Sequence, residues 1–559
     1  MGALRSRLPS GPLATLLGSW LLAYTGGWAF TIALAVYAFD RSGAGAVAAV
    51  TAARLLPAML AAPVTGGLVD RGERGRVVAW ACLVQAACLG VVATLVFAHS
   101  SLVLIVVLAA IGSAAATALR PALQASMPAL AGSPEELTRA TASWSVIDNG
   151  GFLLGAGAGG TAIALVGAGS VVAASAVLVA MAGALAVTLP SVSATIADEP
   201  EDFAEGLSSL LAGLRAVASS PMLRGPFAVF AGLLLLEGTT DVQLVALSLG
   251  KLHLGNSGPG VLTAVWGVGG LLGSALILFL VRRRGYGLAL AAGSIIFAGG
   301  LALAAINVIP MAIGAMIPAG IGFALVEIAV MALVPRLADD AIVGRVYALS
   351  EVLYAGAAGV GALIAPWLIS ALGVDGSLAA VGIAFGAGAI VAQRTFARLD
   401  QGQEEAGRVR ELLRGVSFLA PLPLPRLERL VRAARPVTVP AGATVIRAGE
   451  SGDEFFVVAD GTVDIVEYGR RQGPGSGFGE IALLRDVPRT ATVRAATDVS
   501  LLALTRAAFI GAVSDHGDAT HLADAIVAEH LARPRVTDLP GEGRENAGGD
   551  DGASRAAGR

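Results

Sequence analysis

Twelve stretches of apolar residues, each long enough to cross a lipid bilayer as a helix, dictate what this chain can fold into. They lie near residues 13–39, 46–69, 76–98, 102–126, 140–167 and 169–190, then 224–250, 258–281, 286–307, 309–333, 345–372 and 375–396. A hydrocarbon core about 30 Å thick takes about 20 helical residues, and inside it every backbone N–H and C=O must be satisfied within the segment. Repeated spans of this length therefore predict an all-α polytopic membrane domain of 12 transmembrane helices. Composition agrees, since 55% of the 559 residues are hydrophobic and only 14% charged, against about a quarter charged in soluble domains. The 73 glycines suit helices that pack closely through small residues.

Several function classes drop out early. The net charge of −3 and the lack of a long basic block argue against nucleic-acid binding. Cys82 and Cys88 fall within one apolar span, which makes them packing residues and not disulfide partners or metal ligands. Arg5 and Arg7 precede an apolar stretch too long for a cleaved signal, so the first span is expected to stay in the mature protein. No GxxxxGK[ST] loop and no HExxH occur, and no enzyme signature emerges. Gly155, Gly157 and Gly160 spell GxGxxG, but inside a membrane span with no preceding strand. Gly285-Tyr286-Gly287 follows three arginines and reads as a turn, lacking the upstream residues of a potassium filter.

The spans group as six plus six around residues 191–223, which carry Asp198, Glu199, Glu201, Asp202 and Glu205 ahead of a short amphipathic run. With the N-terminus inside, cytoplasmic loops hold Arg71, Arg74, Arg76, Arg139, Arg282, Arg283, Arg284, Arg336 and Arg345, while the opposite loops hold little beyond Arg41 and Lys251. The positive-inside rule then places both termini in the cytoplasm of a bacterial inner-membrane protein. The halves echo one another, with MPALAGSPEELTRATASW from Met127 matched by VPRLADDAIVGRVYALSE from Val334. Gly-rich helices follow each, with Gly151, Gly155 and Gly159 in one and Gly356, Gly359 and Gly361 in the other. Parallel repeats place a substrate cavity between two halves that rock about it.

Ionisable residues within a span cost several kcal/mol and mark transport pathways or structural pairs. The candidates are Arg54, Asp148, Glu237, Asp241, Glu327 and Glu351. Glu237 falls roughly 20 Å into its helix from Arg224, with Asp241 one turn further on the same face. Carboxylates at i and i+4 resist joint ionisation, which fits a proton carrier. The blander alternative is a solvated Asp241 and a structural Glu237–Arg54 pair. Asp148 and Glu351 start the repeated helices, where they could meet the Arg71–Arg76 cluster as gate residues.

The loop GGLVDRGERGR from Gly66 to Arg76 resembles that of the major facilitator superfamily. The resemblance implies a cytoplasmic latch of Asp70, Arg71, Arg74 and Arg76, although Glu73 departs from the usual pattern. AARLLPAMLAAPVTGGLVDR resembles the macrolide-efflux and siderophore-exporter branch in particular. The exporters often carry a proline in the fifth span, and this one has none.

Beyond Gln393 charge rises, and apolar runs broken by Gly and Pro follow at short intervals, the pattern of an antiparallel β jelly-roll of about eight strands. FGEIALLRDVPRTATV from Phe478 to Val493, with GESGDEFFVVADG from Gly449 to Gly461, resembles the cyclic nucleotide-binding domain and its phosphate cassette. By that resemblance Glu480 holds the ribose 2′-hydroxyl and Arg489 the cyclic phosphate. A guanidinium suits a phosphate bidentately, and the N–H groups of GEIALL face the same anion. Gly479, Ile481, Ala482, Thr490 and Ala491 complete the expected lining, and Ile526 or Val527 of a following helix would close on the base. Thr490 leaves cAMP and cGMP both open.

The expected organisation is a transporter domain at 1–398, a helical linker at 399–411, a cyclic nucleotide-binding domain at 412–532 and a disordered tail at 533–559. The function it implies is a proton-coupled small-molecule exporter, needing no metal or cofactor and regulated by cAMP or cGMP. The alternatives are a membrane receptor that transports nothing and a nucleotide-gated channel.

Overall fold

A computed structural model describes residues 11–71, 73–190, 203–306, 308–337, 340–513, 521–525 and 527–528. The chain divides into two compact units, Met1–Asp400 and Gln401–Arg559.

The first unit is helical. Its elements are α1 (Pro12–Arg71), α2 (Arg74–Phe97), α3 (Leu102–Ala116), α4 (Leu119–Leu130), α5 (Pro134–Val187), α6 (Phe203–Ser219), α7 (Pro221–Val245), α8 (Gly258–Arg284), α9 (Tyr286–Ala304), α10 (Ile309–Leu337) and α11 (Asp340–Gly415). A π-helical turn, Ala246–Lys251, extends α7. Among the described residues nine helices are long and apolar enough to cross a membrane. The acidic stretch from Asp198 to Asp202 lies outside the described residues, and the amphipathic run after it is α6.

Three of the helices far exceed a bilayer's thickness, and each is broken at a glycine, joined in α1 by the non-helical Ser42 before it. Gly43 (φ 68°, ψ −159°), Gly167 (φ 81°, ψ 160°) and Gly373 (φ 71°, ψ 174°) interrupt α1, α5 and α11. A positive φ with extended ψ is open essentially to glycine alone. Gly43 and Gly373 fall between neighbouring apolar stretches of the sequence, and Gly167 is the last residue of one. The contacts of α5 show that its break reverses the chain. A straight helix of its 54 residues would run about 80 Å, yet residues on both sides of Gly167 reach one short stretch of α1. A Cβ on Gly155 would lie 2.6 Å from the Thr25 carbonyl, and one on Gly26 would lie 3.2 Å from the Ser175 carbonyl.

Glycines also set the helix crossings. Gly155 and Gly159 let α5 meet α1 at Thr25 and Ala29. In the other half, side chains on Gly238 or Gly361 would collide with the carbonyls of Ala358 and Leu235, so α7 and α11 touch backbone to backbone. Thr239 Oγ1 donates to Gly361 O at 3.0 Å across that crossing. Such close approach is what small residues allow where no hydrophobic effect draws helices together. Gly285, at φ 87°, joins α8 to α9, and Asp400 caps the new helix by accepting from the N–H groups of Gly287 (2.6 Å) and Leu288 (2.9 Å).

The second unit is built on α12 (Leu424–Ala433), β1 (Arg435–Val439), β2 (Thr444–Ile446), β3 (Glu454–Asp460), β4 (Val463–Ile465), β5 (Arg470–Gln472), β6 (Gly477–Phe478), α13 (Glu480–Arg485), β7 (Val493–Ala495), β8 (Val499–Thr505) and α14 (Arg506–Val513). The strands form two antiparallel four-stranded sheets, ordered β1-β8-β3-β6 and β2-β7-β4-β5. Because side chains alternate along a strand, β3 serves two cores. Phe456 and Val458 pack between the sheets with Val463, Phe478, Val493 and Leu501. Phe455 and Val457 point the other way, with Leu502 and Leu504 of β8, onto a helical layer that includes Phe418, Leu427 and Phe509. The Phe455 and Phe509 rings stack at 4.5 Å.

Candidate functional site

The cassette closes one wall of a cavity lined by Ile446, Ile465, Tyr468, Arg470, Gln472, Gly477, Phe478, Gly479, Glu480, Ile481, Ala482, Arg489, Thr490, Ala491 and Val493. All seven residues expected of the nucleotide site line it. Gly479 adopts φ 94° immediately before α13, and a side chain there would lie 2.5 Å from the Arg489 guanidinium. The first N–H groups of α13 have no partner within the helix. Glu480 is 4% exposed and Arg489 7%.

Arg489 is held by neutral groups. Its Nη1 donates to Gly479 O at 2.9 Å and its Nη2 to Glu454 O at 2.7 Å. Gly452 leaves room for it, since a Cβ there would overlap the guanidinium. Burial pushes the Arg489 guanidinium below the ordinary arginine range, opposed by the nearby Asp453, Glu454 and Glu480. A guanidinium stays protonated at neutral pH regardless. Val527 is fully buried but is not among the cavity's lining residues, and Ile526 lies outside the described residues.

In the membrane unit Glu237 and Asp241 share α7 one turn apart and interact electrostatically. Asp241 is exposed although its span is one of the more buried, and it faces Arg54 of α1. Arg54 donates to Thr31 Oγ1 at 2.9 Å and Ser113 Oγ at 3.3 Å, and lies 5.1 Å from the Phe30 ring centre. Arg54 therefore answers Asp241 across the two halves, and Glu237 has Asp241 and Glu327 as charged neighbours. Glu327 accepts a hydrogen bond from the Tyr354 hydroxyl.

The gate candidates are placed differently from the sequence expectation. Asp148 accepts from Trp20 Nε1 at 2.5 Å and pairs with Arg120 at 2.6 Å, and Arg120 also feels Glu351. Among the described residues the positive partner of Asp148 is thus Arg120, supplied by α4, and not Arg74 or Arg76 of the Arg71–Arg76 loop. In that loop Arg74 donates to Ala125 O at 2.6 Å and Arg76 pairs with Glu73 at 2.8 Å. The side chains of Asp70 and Arg71 lie outside the described residues.

The model of the Major Facilitator Superfamily matches residues 16–349, more than half of the chain. The chain belongs to the Major Facilitator Superfamily. The cyclic nucleotide-binding domain matches residues 436–516, so this superfamily member carries that domain at its C-terminal end. The nucleoside transporter NupG has a similar fold, with a TM-score of 0.58 at 15% identity, covering 70% of this chain and all of NupG. A cyclic nucleotide-gated potassium channel of Mesorhizobium japonicum is 51% identical over 84 residues, 15% of this chain and 24% of the channel. One from Rhizobium etli is 41% identical over 114 residues, 19% of this chain and 32% of the channel. The chain thus spans about a quarter to a third of the length of these curated relatives.

Sequence reasoning on this facilitator misses Arg120, Tyr354 and the far wall of the nucleotide cavity. The signal for Arg120 was a lone arginine beside Pro121 at the end of an apolar stretch. Arg470 and Gln472 sit on a strand too short to show a period, and Tyr468 ends a three-residue 3-10 turn before it.

Proposed function

We propose that this protein is a secondary active transporter of the bacterial cytoplasmic membrane, a proton-coupled exporter of a small molecule, regulated by cAMP or cGMP bound to its C-terminal domain. The observation that carries the regulatory part is Arg489, buried in the wall of the cassette cavity with both terminal nitrogens on neutral carbonyls. Its charge is uncompensated by direct pairing and is available to a phosphodiester. Glu237 and Asp241 are the proposed proton carriers, with Arg54 and Glu327 as the charges that bias them. Counting the broken helices α1, α5 and α11 twice takes the nine candidates to twelve crossings, with both termini cytoplasmic and the soluble sheets closed as a jelly-roll. The macrolide-efflux and siderophore-exporter branch is the proposed relation.

Coupling requires that nucleotide favour one transporter state over another, with 399–411 as the helical linker. Transport by inverted vesicles, with and without cAMP or cGMP, tests both parts. The expected outcome is proton-dependent flux that nucleotide changes and that Arg489→Ala makes insensitive to nucleotide. Flux unchanged by nucleotide removes the regulatory role, and flux unaltered by Glu237→Gln with Asp241→Asn removes these carriers.

A further inference from the structure

The edge strand β5 breaks the rule that its neighbours obey. In its pairing with β4, Val463 stands opposite Gln472, Asp464 opposite Arg471 and Ile465 opposite Arg470. Directly opposed residues share a face of the sheet. Val463 is fully buried in the core between the sheets, so Gln472 points inward, where Ala495 and Val493 of β7 are apolar too. Asp464 and Arg471 take the outer face as an ion pair at 2.7 Å. Gln472 is only 8% exposed, and its Oε1 has no hydrogen-bond partner.

A buried amide oxygen left unpaired is costly, and a leucine would fill this inward position without that cost. Polar residues kept against the local pattern are expected at functional positions. Gln472 also lines the nucleotide cavity, from the sheet opposite to the one that leads through β6 into the cassette. With phosphate held by Arg489 and ribose by Glu480, the base is the part of the ligand left to reach Ile465, Tyr468 and Gln472. Adenine carries an amino group, a donor matching the orphan acceptor, at the ring position where guanine carries a carbonyl oxygen.

We infer that Gln472 is a specificity-determining residue of the nucleotide site, its Oε1 accepting a hydrogen bond from the adenine amino group, so that the cavity is selective for cAMP. This rests on the proposed nucleotide site. The test is calorimetry on the full chain in detergent, with cAMP, cGMP and the cyclic monophosphate of purine riboside, which lacks the amino group. The parent should bind cAMP about ten-fold tighter than the des-amino analogue, the size of one neutral hydrogen bond. Gln472→Leu should bring that ratio to within about two-fold, with analogue affinity retained as proof that the cavity is intact. A ratio unchanged by Gln472→Leu, or tighter binding of cGMP than of cAMP by the parent, overturns the inference and leaves the nucleotide site standing. Heat with none of the three ligands overturns both. Should Gln472→Leu not fold, Gln472→Met carries the same comparison.

Discussion

Two arginines, one in each unit, are stabilised by opposite means. Arg120 in the membrane unit sits against the Asp148 carboxylate and 6.0 Å from the Trp20 ring centre. Arg489 in the soluble unit rests on two backbone carbonyls. A carboxylate neutralises its partner, while carbonyl dipoles satisfy a guanidinium's geometry and leave its charge intact. The first arrangement holds helices together, and the second keeps a positive charge ready for an anion that arrives later. Removing the two side chains should therefore damage different properties.

The largest effect is expected at Arg120. Arg120→Gln strands the Asp148 carboxylate, and loss of one partner of a fully buried pair costs about 3–5 kcal/mol. The Arg120 side chain is 43% exposed and that of Asp148 19%, so solvent screening reduces the expected loss to about 2–3 kcal/mol. Thermal unfolding in detergent should show it, and adding Asp148→Asn should recover most of the loss by removing the stranded charge. If the single variant melts like the parent, Arg120 is no structural counterion and the contrast with Arg489 fails.

Arg489→Ala should do the reverse. It removes the guanidinium that donates to the cassette carbonyl of Gly479, and nucleotide affinity should fall by about 100-fold, the equivalent of about 2.7 kcal/mol. Melting temperature without ligand should barely move, because the carbonyls of Gly479 and Glu454 are freed beside a cavity that water can enter. A large loss of stability with unchanged affinity would make Arg489 another structural arginine.

The same contrast explains what was legible in the sequence. The cassette is contiguous, so Glu480 and Arg489 are recognisable nine residues apart without knowledge of the fold. The breaks at Gly43, Gly167 and Gly373 were visible as boundaries of apolar stretches, since lipid imposes span length on the sequence. That each break would need one glycine in a left-handed conformation was not visible, because length fixes where a helix ends and not the shape of the turn. Arg120 and Asp148 are 28 residues apart, on helices whose relative rotation apolar composition does not encode. The gate expectation joined residues by their depth in the membrane and for that reason did not foresee Arg120 beside Asp148. Gln472 escaped notice because three residues of strand give no alternation to read.

The smallest effect belongs to a charge pair one residue from Gln472. Arg471 faces solvent and donates to Asp464 at 2.7 and 2.9 Å, and this hydrogen bonding holds the Asp464 carboxyl below its ordinary range. A depressed carboxyl contributes stability above its unfolded-state value, which is lost as pH falls through the folded one. Asp464→Asn should therefore melt slightly below the parent at pH 7 and low salt. The difference should vanish in strong acid, where both chains are neutral at this position, and also at high salt, which screens exposed pairs. Nucleotide affinity should not change, since the period of two along β5 turns Arg471 away from the cavity while Gln472 enters it. A loss of affinity comparable to that of Arg489→Ala would mean that the outer face of β5 reaches the ligand, and the assignment of Gln472 to the inner face would fail with it.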